Sequence, residues 1–504
     1  MLATLEPSQS RKYCLVSTLE SSLIIHLFSM ESSNVLHVVM FPWLAMGHLI
    51  PFFRLSKLLA GKGHKISFIS TPRNLQRLPK IPQELASQIE LVSIPLPEVD
   101  NLPKQGETST DIPHEQDQFL KIAFDLLQSP MASFLENTRP KPDWIIHDYA
   151  SHWLPEIAAQ NGVSAAFFSL FTAAALSFLG RPSAWLSGED GRSTAEDFTV
   201  VPKWIPFPSN CAYRLHEVRK NIEDASGNES GASDFIRFAA SIDRSDLVIF
   251  RTSVEFEPEW FNLVRELYKK PVVSLGVLPP SLDDDDELET DEKWQKIKNW
   301  LDKQTANKVV YVALGTEATI SQKEVQDLAI GLEQSELPFF WVLRKPPGSK
   351  KDVTDMLPEG FRERINANGQ GVVYTEWVPQ VKILSHPAIG GYLTHCGWNS
   401  VIEALGFGRV LILFPVMNDQ GLNARLLEGK KVGVEIPRAA EDGLFTSTAV
   451  AETLRYAVVS EEGEPMRANA RQMTSLFGNG KRNQDYIDTF VRCLEERKIS
   501  NFLA

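Results

Sequence analysis

The fold of this chain is decided by the stretch WVPQVKILSHPAIGGYLTHCGWNSVIEALGFGRVLILFPVMNDQ, which runs from Trp377 to Gln420. It contains two units in which a short apolar strand leads through a polar turn into a helix. The first unit consists of the strand GGYLTH, the turn CGWNS and the helix VIEALGFG. The second consists of the strand VLILFPV, the turn NDQG and the helix GLNARLLEG. Strands that alternate with helices in this way are typical of a parallel sheet covered by helices.

The two turns lie where such a sheet is expected to bind a ligand, outside the carboxyl ends of its strands. Asn399 and Ser400 are candidate N-caps of the helix that follows the first turn. The free amides and the dipole at a helix start both favour an anion. The sequence therefore predicts one anion-binding cleft to which both turns contribute.

The same stretch resembles the plant secondary-product glycosyltransferase box of the family-1 UDP-glycosyltransferases. WVPQ, HCGWNS, Glu403 and the closing pair Asp419 and Gln420 all match the box at its offsets. The resemblance extends from about Val35 to the C-terminus and is closest to a branch that modifies glycosides or small xenobiotic acceptors. It implies the GT-B architecture, in which two Rossmann-like domains face each other across a cleft.

The remaining sequence agrees with an α/β fold of two doubly wound parallel sheets. In the first half, apolar strands such as VLHVVMF and PDWIIHD alternate with helical patterns, including one predicted around Gln116 to Glu136. In the second half, KVVYVALGT, FFWVLRK and GVVYTEWV are predicted strands. A last helix is predicted to run to about Glu496, and the resemblance implies that it crosses back onto the first domain.

A chain of 504 residues is long enough for two domains. We expect a disordered leader at residues 1–34 and an acceptor-binding domain at 35–277. An acidic linker at 278–300 is expected to lead into a UDP-sugar-binding domain at 301–475. Residues 476–504 are expected to form the helix that packs on the first domain.

Composition and charge narrow the class of protein. The net charge of −13 and the lack of a basic stretch argue against a nucleic-acid partner. No apolar run reaches the roughly 18 residues that span a bilayer, so no stable membrane insertion is expected. The four cysteines are far apart and form no CxxC pair, which favours a reducing compartment and hence the cytoplasm. A monomer is expected. Neither GxGxxG nor GxxxxGK[ST] occurs, so a dinucleotide oxidoreductase or a P-loop NTPase is not indicated.

The predicted leader at residues 1–34 has one alternative interpretation, a secretory signal peptide. The run CLVSTLESSLIIHLFSM follows Arg11 and Lys12, which gives it a faint likeness to a secretory signal peptide. Glu20 and His26 interrupt its apolar character, and no small-residue cleavage site follows. The interpretation of a leader without a targeting role is therefore preferred.

Two residues at strand ends carry the predicted chemistry. His48 lies in MGHLIP after the first strand, and Asp148 ends the strand pattern of WIIHDY. On their own, the two side chains could equally belong to helix starts, the aspartate as an N-cap. The resemblance implies that His48 is the general base for an acceptor hydroxyl. A bond from Asp148 to its other ring nitrogen would fix the tautomer and raise its basicity.

The resemblance also assigns the UDP-sugar donor, which is a co-substrate rather than a bound cofactor. The nucleoside is expected to contact Trp377, Val378, Gln380 and Glu403, with uracil stacked on the indole of Trp377. The diphosphate is expected to contact Thr316, His395, Asn399 and Ser400. The hexose is expected to contact Trp398, Asp419 and Gln420. Both tryptophans would also suit core packing, and Cys396 is interpreted as a small buried filler.

No metal is expected, because helix starts, Thr316 and His395 can stabilise the charge of the leaving UDP. The acidic run Asp283 to Asp286 is interpreted as a solvated linker rather than a metal site. The sequence thus predicts an inverting, metal-independent transfer from a UDP-α-sugar. A non-catalytic UDP-sugar-binding protein is the alternative of another class, and the presence of both His48 and Asp148 argues against it.

The sequence determines the donor sugar and the acceptor less closely than the type of reaction. Trp398 favours a neutral hexose and Gln420 favours glucose, while UDP-rhamnose and UDP-xylose stay open. An apolar pocket for a flat or terpenoid-like metabolite or xenobiotic is expected. Its candidate wall residues are Trp43, Met46, Phe119, Phe124, Trp153, Phe171, Thr172 and Phe207. An acceptor that is already a glycoside, elongated on its sugar, is the main alternative.

Overall fold

Two parallel sheets organise the chain in a computed structural model, which confirms the predicted fold class. The structure describes residues 35–226, 229–280, 291–318, 320–345 and 353–503. The predicted leader at 1–34 and the acidic run Asp283 to Asp286 lie outside these ranges. All strand pairs in both sheets are parallel.

The first sheet has the strand order β3-β2-β1-β4-β5-β6-β7. Its strands are β1 (His37–Phe41), β2 (Lys65–Ser70), β3 (Ile89–Ser93), β4 (Trp144–His147), β5 (Ser164–Ser169), β6 (Leu247–Phe250) and β7 (Val272–Ser274). The second sheet has the order β10-β9-β8-β11-β12-β13. Its strands are β8 (Val309–Ala313), β9 (Phe339–Val342), β10 (Gly371–Tyr374), β11 (Ile389–Thr394), β12 (Val410–Leu413) and β13 (Gly433–Glu435).

Helices cover both faces of the sheets. Those of the first half are α1 (Met46–Gly61), α2 (Pro72–Gln76), α3 (Asp117–Asp125), α4 (Gln128–Asn137), α5 (Leu154–Gln160), α6 (Ala173–Leu179), α7 (Pro182–Ser187), α8 (Leu215–Ser226), α9 (Asp234–Arg244) and α10 (Pro258–Tyr268). Those of the second half are α11 (Glu292–Leu301), α12 (Gln322–Gln334), α13 (Phe361–Ala367), α14 (Gln380–Ser385), α15 (Trp398–Gly406), α16 (Gln420–Gly429), α17 (Ser447–Val458), α18 (Glu464–Gln472), α19 (Thr474–Phe477) and α20 (Gly480–Leu503). Within the described ranges, no helix combines the length and the apolar character needed to cross a membrane.

The central strands are buried on both faces, as their continuous apolar sequences predict. All five residues of β1 and all five of β8 are buried. The order of strands reverses between β1 and β4 in the first sheet, and between β8 and β11 in the second. At such a switch point the two following loops diverge and leave a crevice at the carboxyl edge. The loops after these four strands therefore build the ligand cleft.

One helix predicted around Gln116 to Glu136 is in fact two, α3 and α4, which are separated at Leu126 and Leu127. Pro130 explains the break, because a proline ring collides with the carbonyl group four residues earlier in a continuous helix. That carbonyl group belongs to Leu126. In α4 the proline lies in the first turn, where its missing N–H costs no helical hydrogen bond.

The last helix, α20, packs on the first sheet rather than on the second. The side chains of Ile487 and Phe490 are buried in the same cluster as residues of β1. The indole N–H of Trp144 donates to the carbonyl oxygen of Leu494 at 3.3 Å. The backbone N–H of Val277 donates to Asn483 at 3.2 Å. The chain therefore ends on the domain in which it began.

A buried ion network also joins the two halves of the molecule. The guanidinium of Arg425 on α16 lies 2.6 Å from Glu217 of α8 and 2.6 Å from Glu435 of β13. Arg214, just before α8, donates to Glu435 at 2.9 Å. Its backbone N–H donates to Glu217 at 2.8 Å. Two arginines and two glutamates, drawn from both domains, thus fix α16 against the first domain.

Candidate active site

The first turn of α1 and the end of β4 bring His48 and Asp148 together. Nδ1 of His48 lies 2.7 Å from Oδ2 of Asp148. The histidine side chain is 18% exposed, whereas the aspartate is fully buried. Strands β1 and β4 are neighbours at the switch point of the sheet, so residues just past their ends are adjacent in space. The first domain therefore presents the imidazole of His48, backed by a buried carboxylate, towards the cleft.

Asp148 is held in place by backbone donors as well as by the histidine. Its Oδ2 accepts the N–H of Trp43 at 3.1 Å, and its Oδ1 accepts the N–H of Tyr149 at 2.7 Å. The helix α5 begins at Leu154 and has no side-chain N-cap bond, so Asp148 does not cap it. The carboxylate is instead oriented towards the histidine ring.

This arrangement sets the protonation of His48. Burial of the ring opposes protonation, but the charge and hydrogen bond of Asp148 raise the pKa of His48 above its usual 6.5. Glu317 and Asp419 add smaller contributions in the same direction. When Nδ1 donates to the carboxylate, the lone pair of Nε2 is free to accept a proton. The pair has the geometry of a base and its orienting acid.

A cavity of about 420 Å³ lies beside this pair, between the two sheets. Its size is in the range of about 300–1,000 Å³ that is usual for small-molecule sites. Eight of the predicted donor residues line it, namely Thr316, Gln380, His395, Trp398, Asn399, Ser400, Asp419 and Gln420. The predicted donor residues that do not line it are Trp377, Val378 and Glu403. His48 also lines the wall, so it shares one space with these eight residues.

At the predicted nucleoside end, Gln380 is the centre of a hydrogen-bond cluster. Its amide N–H donates to Glu403 at 2.7 Å, and its amide oxygen accepts the hydroxyl of Tyr311 at 3.1 Å. Trp377 lies just before α14 and is 54% exposed, an unusual exposure for the largest side chain. Its indole face is thus accessible to a planar group from solvent.

At the predicted diphosphate end, two glycines let the backbone approach His395 closely. A Cβ atom at Gly315 would lie 2.8 Å from Nε2 of His395, and one at Gly397 would lie 2.4 Å from it. Neither position tolerates a side chain, and Gly315 also has a φ of +83°. Burial lowers the pKa of His395 to about 4, so the ring is neutral at physiological pH. A neutral imidazole can donate one N–H to an anion in this turn.

The prediction that Asn399 or Ser400 caps the helix after this turn is wrong. Helix α15 begins at Trp398, and its N-cap residue is Gly397, with no side-chain cap bond. The side chain of Asn399 is directed instead to the first domain, where its N–H donates to the carbonyl oxygen of Gly47 at 2.8 Å. Its amide oxygen accepts a hydrogen bond from Arg251. A glycine cap leaves the first amides of α15 open to the cavity.

At the predicted hexose end, Asp419 and Gln420 close the loop that leads into α16. Asn423 donates to the carboxylate of Asp419 at 2.8 Å, while the amide oxygen of Gln420 accepts the N–H of Val416 at 2.9 Å. Burial raises the pKa of Asp419 to about 6, although the bond from Asn423 opposes this. The carboxyl group therefore changes its charge within the physiological range.

Only part of the predicted acceptor wall lines the cavity. Trp43 and Phe171 do, and Phe171 contacts the His48 ring at a centroid distance of 5.9 Å. The predicted wall residues that the structure places elsewhere are Met46, Phe119, Phe124, Trp153, Thr172 and Phe207.

Packing explains these placements. Trp153 is buried against Phe124, and its indole N–H donates to Asp125 at 2.9 Å. Phe207 packs edge-on against Trp260 at 4.7 Å. Met46 packs on the core beneath α1, while Phe119 is half-buried on α3 away from the cavity. Thr172 caps α6 and donates to Asn423 at 3.0 Å.

Sequence reasoning missed several residues that line the acceptor side. Glu317 reaches across the cleft and accepts a hydrogen bond from Ser109, and burial raises its pKa. Tyr149 stacks on Phe238 at 4.5 Å. Arg192 lies within 5.3 Å of the ring centroids of Phe178, Trp185, Phe198 and Trp204. Glu317 had a signal, since it follows Thr316 directly at the end of a predicted strand.

The cysteines and acidic side chains in the described part of the chain form no further site. Cys211, Cys396 and Cys493 are free thiols, and Cys396 is fully buried in the core, as expected of a small filler. Burial raises the pKa of the Cys396 thiol well above its usual value, so it is a poor nucleophile. Among the described residues, no group of three or more metal-ligating side chains occurs.

Known proteins with similar sequences are glycosyltransferases. A profile of the family described as UDP-glucoronosyl and UDP-glucosyl transferase matches residues 278–474. UDP-glycosyltransferase 91C1 of Arabidopsis thaliana is 56% identical over 471 residues, or 94% of this chain and 99% of that protein. Anthocyanidin 3-O-glucoside 2''-O-glucosyltransferase of Ipomoea purpurea is 32% identical over 470 residues, or 92% of this chain and 99% of that protein.

The fold is similar to that of a solved glycosyltransferase. UGT2 of Phytolacca americana, complexed with UDP-2fluoro-glucose and pterostilbene, matches with a TM-score of 0.71. The match covers 91% of this chain and 100% of the other at 23% identity. At that identity the likeness concerns the arrangement of the two domains rather than the substrates.

Proposed function

The chain belongs to the plant family-1 UDP-glycosyltransferases, and on that premise we propose that it transfers glucose from UDP-glucose to a hydroxyl of a small hydrophobic acceptor. The observation that carries this proposal is the 2.7 Å contact between His48 and Asp148 on the wall of the interdomain cavity. Eight residues of the predicted donor site line the same cavity. A sugar donor held there would lie within reach of the histidine.

The proposed step is a single displacement. Nε2 of His48 takes the proton of the acceptor hydroxyl as its oxygen attacks the anomeric carbon. The bond from that carbon to the β-phosphate oxygen of UDP breaks, and UDP leaves with the electron pair. Attack from the face opposite UDP converts an α-linked glucose into a β-glucoside. Asp148 stabilises the imidazolium ion that results.

The second domain would stabilise the leaving group. The open amides at the start of α15, the neutral His395 and Thr316 line the cavity where the diphosphate is proposed to bind. Oriented donors in a site shielded from water stabilise developing negative charge strongly. This arrangement needs no metal ion, so we propose a metal-independent reaction.

UDP-glucose is proposed as the donor because Trp398 and Gln420 are retained at the predicted hexose end. Asp419 would accept hydrogen bonds from the hexose hydroxyls. The free thiols of the three cysteines that the structure describes fit the reducing conditions of the cytoplasm, where we place a monomeric enzyme of specialised metabolism or xenobiotic detoxification.

A UDP-release assay tests the proposal. The purified enzyme is given UDP-glucose, UDP-rhamnose, UDP-xylose and UDP-glucuronate in turn, in EDTA, with a panel of flat phenols and terpenoid alcohols. Release of UDP with UDP-glucose, and a product heavier by one hexose, supports the proposal. Lack of turnover with every donor would overturn it, and loss of activity on chelation alone would overturn its metal independence.

A second candidate function is favoured by the polar side of the cavity. Asp117, Lys121 and Asp234 line it, and Lys121 pairs with Asp234 at 2.8 Å. Ser109 and Glu317 face the same space. Charged groups of this kind can bind the hydroxyls of a sugar that the acceptor already carries. The Ipomoea relative is named for transfer onto a glucoside.

This second candidate is an elongation reaction, in which the acceptor is a glycoside. Paired acceptors, each aglycone with its monoglucoside, distinguish the two functions under identical conditions. A kcat/KM that is at least about 10-fold higher for the glucosides would favour elongation. Since 1.4 kcal/mol of transition-state binding gives about a tenfold change, one extra charged hydrogen bond is sufficient.

A further inference from the structure

Arg251 is a buried cation that the predicted chemistry does not use. It directly follows β6 and is 0% exposed. Its Nε donates to the carbonyl oxygen of Val277 at 2.8 Å, and its Nη2 donates to that of Leu278 at 3.0 Å. Its Nη1 donates across the cleft to the amide oxygen of Asn399. A residue of the first domain is therefore bonded to the helix that starts at the diphosphate end.

No carboxylate among the described residues forms an ion pair with this guanidinium. Burial of Arg251 and, to a smaller extent, the charge of the nearby Arg54 lower its pKa to about 9, whereas Glu403 opposes the shift. The group is still charged at neutral pH. A buried charge without a counter-charge is costly to the fold. Its retention at this junction suggests a role beyond packing.

Asn399 connects Arg251 to the proposed base. The other end of its amide donates to the carbonyl oxygen of Gly47 at 2.8 Å, and Gly47 directly precedes His48. The backbone of Arg251 takes part as well, because its carbonyl oxygen accepts the indole N–H of Trp398 at 2.7 Å. The first two residues of α15 are thus both bonded to the first domain.

We propose that Arg251 is a positioning residue that, through Asn399, fixes the start of α15 relative to the base His48. This inference rests on the proposed function, because it assigns the base to one domain and the donor to the other. The side chain of Asn399 then acts as a bridge between domains. That role differs from the direct contact with diphosphate that the family resemblance implies.

The two roles of Asn399 predict different kinetic defects. A lost diphosphate contact weakens the binding of UDP. A lost bridge leaves the second domain able to bind UDP, but it misplaces the base relative to the anomeric carbon. A displacement of about 1 Å between reacting groups can cost about 100-fold in rate. The bridge therefore predicts a defect in kcat without a matching defect in UDP affinity.

Arg251→Met is the first test, and Arg409→Met is its matched control. Arg409 is also an arginine that binds backbone carbonyls, those of Leu384 at 2.8 Å and Ile389 at 2.6 Å, and it does not line the cavity. We expect Arg251→Met to lower kcat by about 100-fold, with a Kd for UDP within about threefold of wild type. Arg409→Met is expected to change Tm but to retain kcat in the folded fraction.

A double-mutant cycle tests whether Arg251 acts through Asn399. We expect Asn399→Ala to lower kcat by at least the factor of Arg251→Met, because it removes the bridge, and to weaken UDP binding as well, because it also removes a predicted diphosphate contact. The double variant should be no slower than the slower single variant, because residues in one contact do not act additively. If Arg251→Met does not fold, Arg251→Lys, which keeps the charge but removes the planar set of donors, takes its place in both experiments.

Two results would overturn the inference. One is full kcat in Arg251→Met while His48→Ala is inactive, which leaves the proposed function intact. The other is an Asn399→Ala variant that binds UDP weakly but keeps its kcat. A failure of the proposed function has a different signature, since the wild-type enzyme would then release no UDP from UDP-glucose.

Discussion

Asp148 lies 2.7 Å from the ring of His48, although the two residues are 100 positions apart in the sequence. Their strands are neighbours at the point where the strand order of the first sheet reverses. The contact is buried on the aspartate side and partly open on the histidine side. An imidazole that is oriented by a buried carboxylate and accessible from the cleft follows from this one pairing of strands.

Replacement of His48 tests the base directly. We expect His48→Ala to lower kcat by about 100- to 10,000-fold, because it removes the proposed proton acceptor. The Kd for UDP, measured by calorimetry, should be unchanged. His386→Ala is the control, since His386 pairs with Asp302 away from the cavity at 3.0 Å. Near-wild-type turnover by His48→Ala would refute the assignment.

The pH dependence of kcat/KM should change when Asp148 loses its charge. Asp148 raises the pKa of His48, so removal of its charge should lower that pKa. Only the neutral histidine accepts a proton, and the rate therefore rises with pH through the pKa of His48. In Asp148→Asn the acidic limb of the kcat/KM profile should move to lower pH, while the plateau falls by at least about 100-fold. An acidic limb that stays in place would show that another group titrates.

Asp419 should make donor binding depend on pH. Its pKa is raised by burial to about 6, so the carboxylate becomes protonated as the pH falls through that value. A protonated carboxyl loses acceptor capacity for hexose hydroxyls. The KM for UDP-glucose should therefore rise below about pH 6 in the wild type, and this rise should be absent in Asp419→Asn. A wild-type KM that is flat from pH 5 to pH 8 would contradict this role.

Trp377 should contribute to affinity and not to stability. Its indole is 54% exposed, and stacking of a base on an aromatic ring contributes about 1–3 kcal/mol. We expect Trp377→Ala to weaken UDP binding by about 5- to 150-fold, with no change in Tm. Tyr456→Ala is the control, because Tyr456 is a similarly exposed aromatic residue. A lower Tm with unchanged UDP affinity would indicate a structural tryptophan.

The buried ion network should matter for stability. Arg425→Met leaves Glu217 and Glu435 buried without the cation that bonds to both at 2.6 Å. Such a loss typically lowers the free energy of unfolding by about 3–5 kcal/mol. Chemical denaturation measures this change, and Arg364→Met, at a more exposed pair with Glu333, should cost much less. Equal effects in the two variants would argue against a special role for the network.

The sequence predicted the fold class and which loops carry the candidate site residues, because both depend on local patterns. His48 and Asp148 each follow an apolar strand, and the strands of a parallel sheet align their ends at one edge. The box from Trp377 to Gln420 specifies two consecutive strand–turn–helix units, and both are present. Domain boundaries and the roles of the site residues remain predictions.

Other features were not predictable because they depend on contacts between distant segments. Asn399 looked like a helix cap, but its amide bonds to Gly47 and Arg251 instead. Aromatic residues such as Trp153 and Phe207 fit a pocket wall and a core equally well, and packing partners decide between them. Glu317 reaches Ser109 from the other domain, which no local pattern shows.

The return of α20 to the first sheet has a mechanical consequence. The polypeptide passes between the lobes once after β7 and a second time between α19 and α20. Two domains that are joined by two separate segments can rotate about the line through those segments. Rotation about any other axis strains the connecting segments. The two domains should therefore rotate about a single axis through the two crossings when the cleft opens to admit substrates. Cutting the chain before residue 480 should remove the second crossing and free the other rotations.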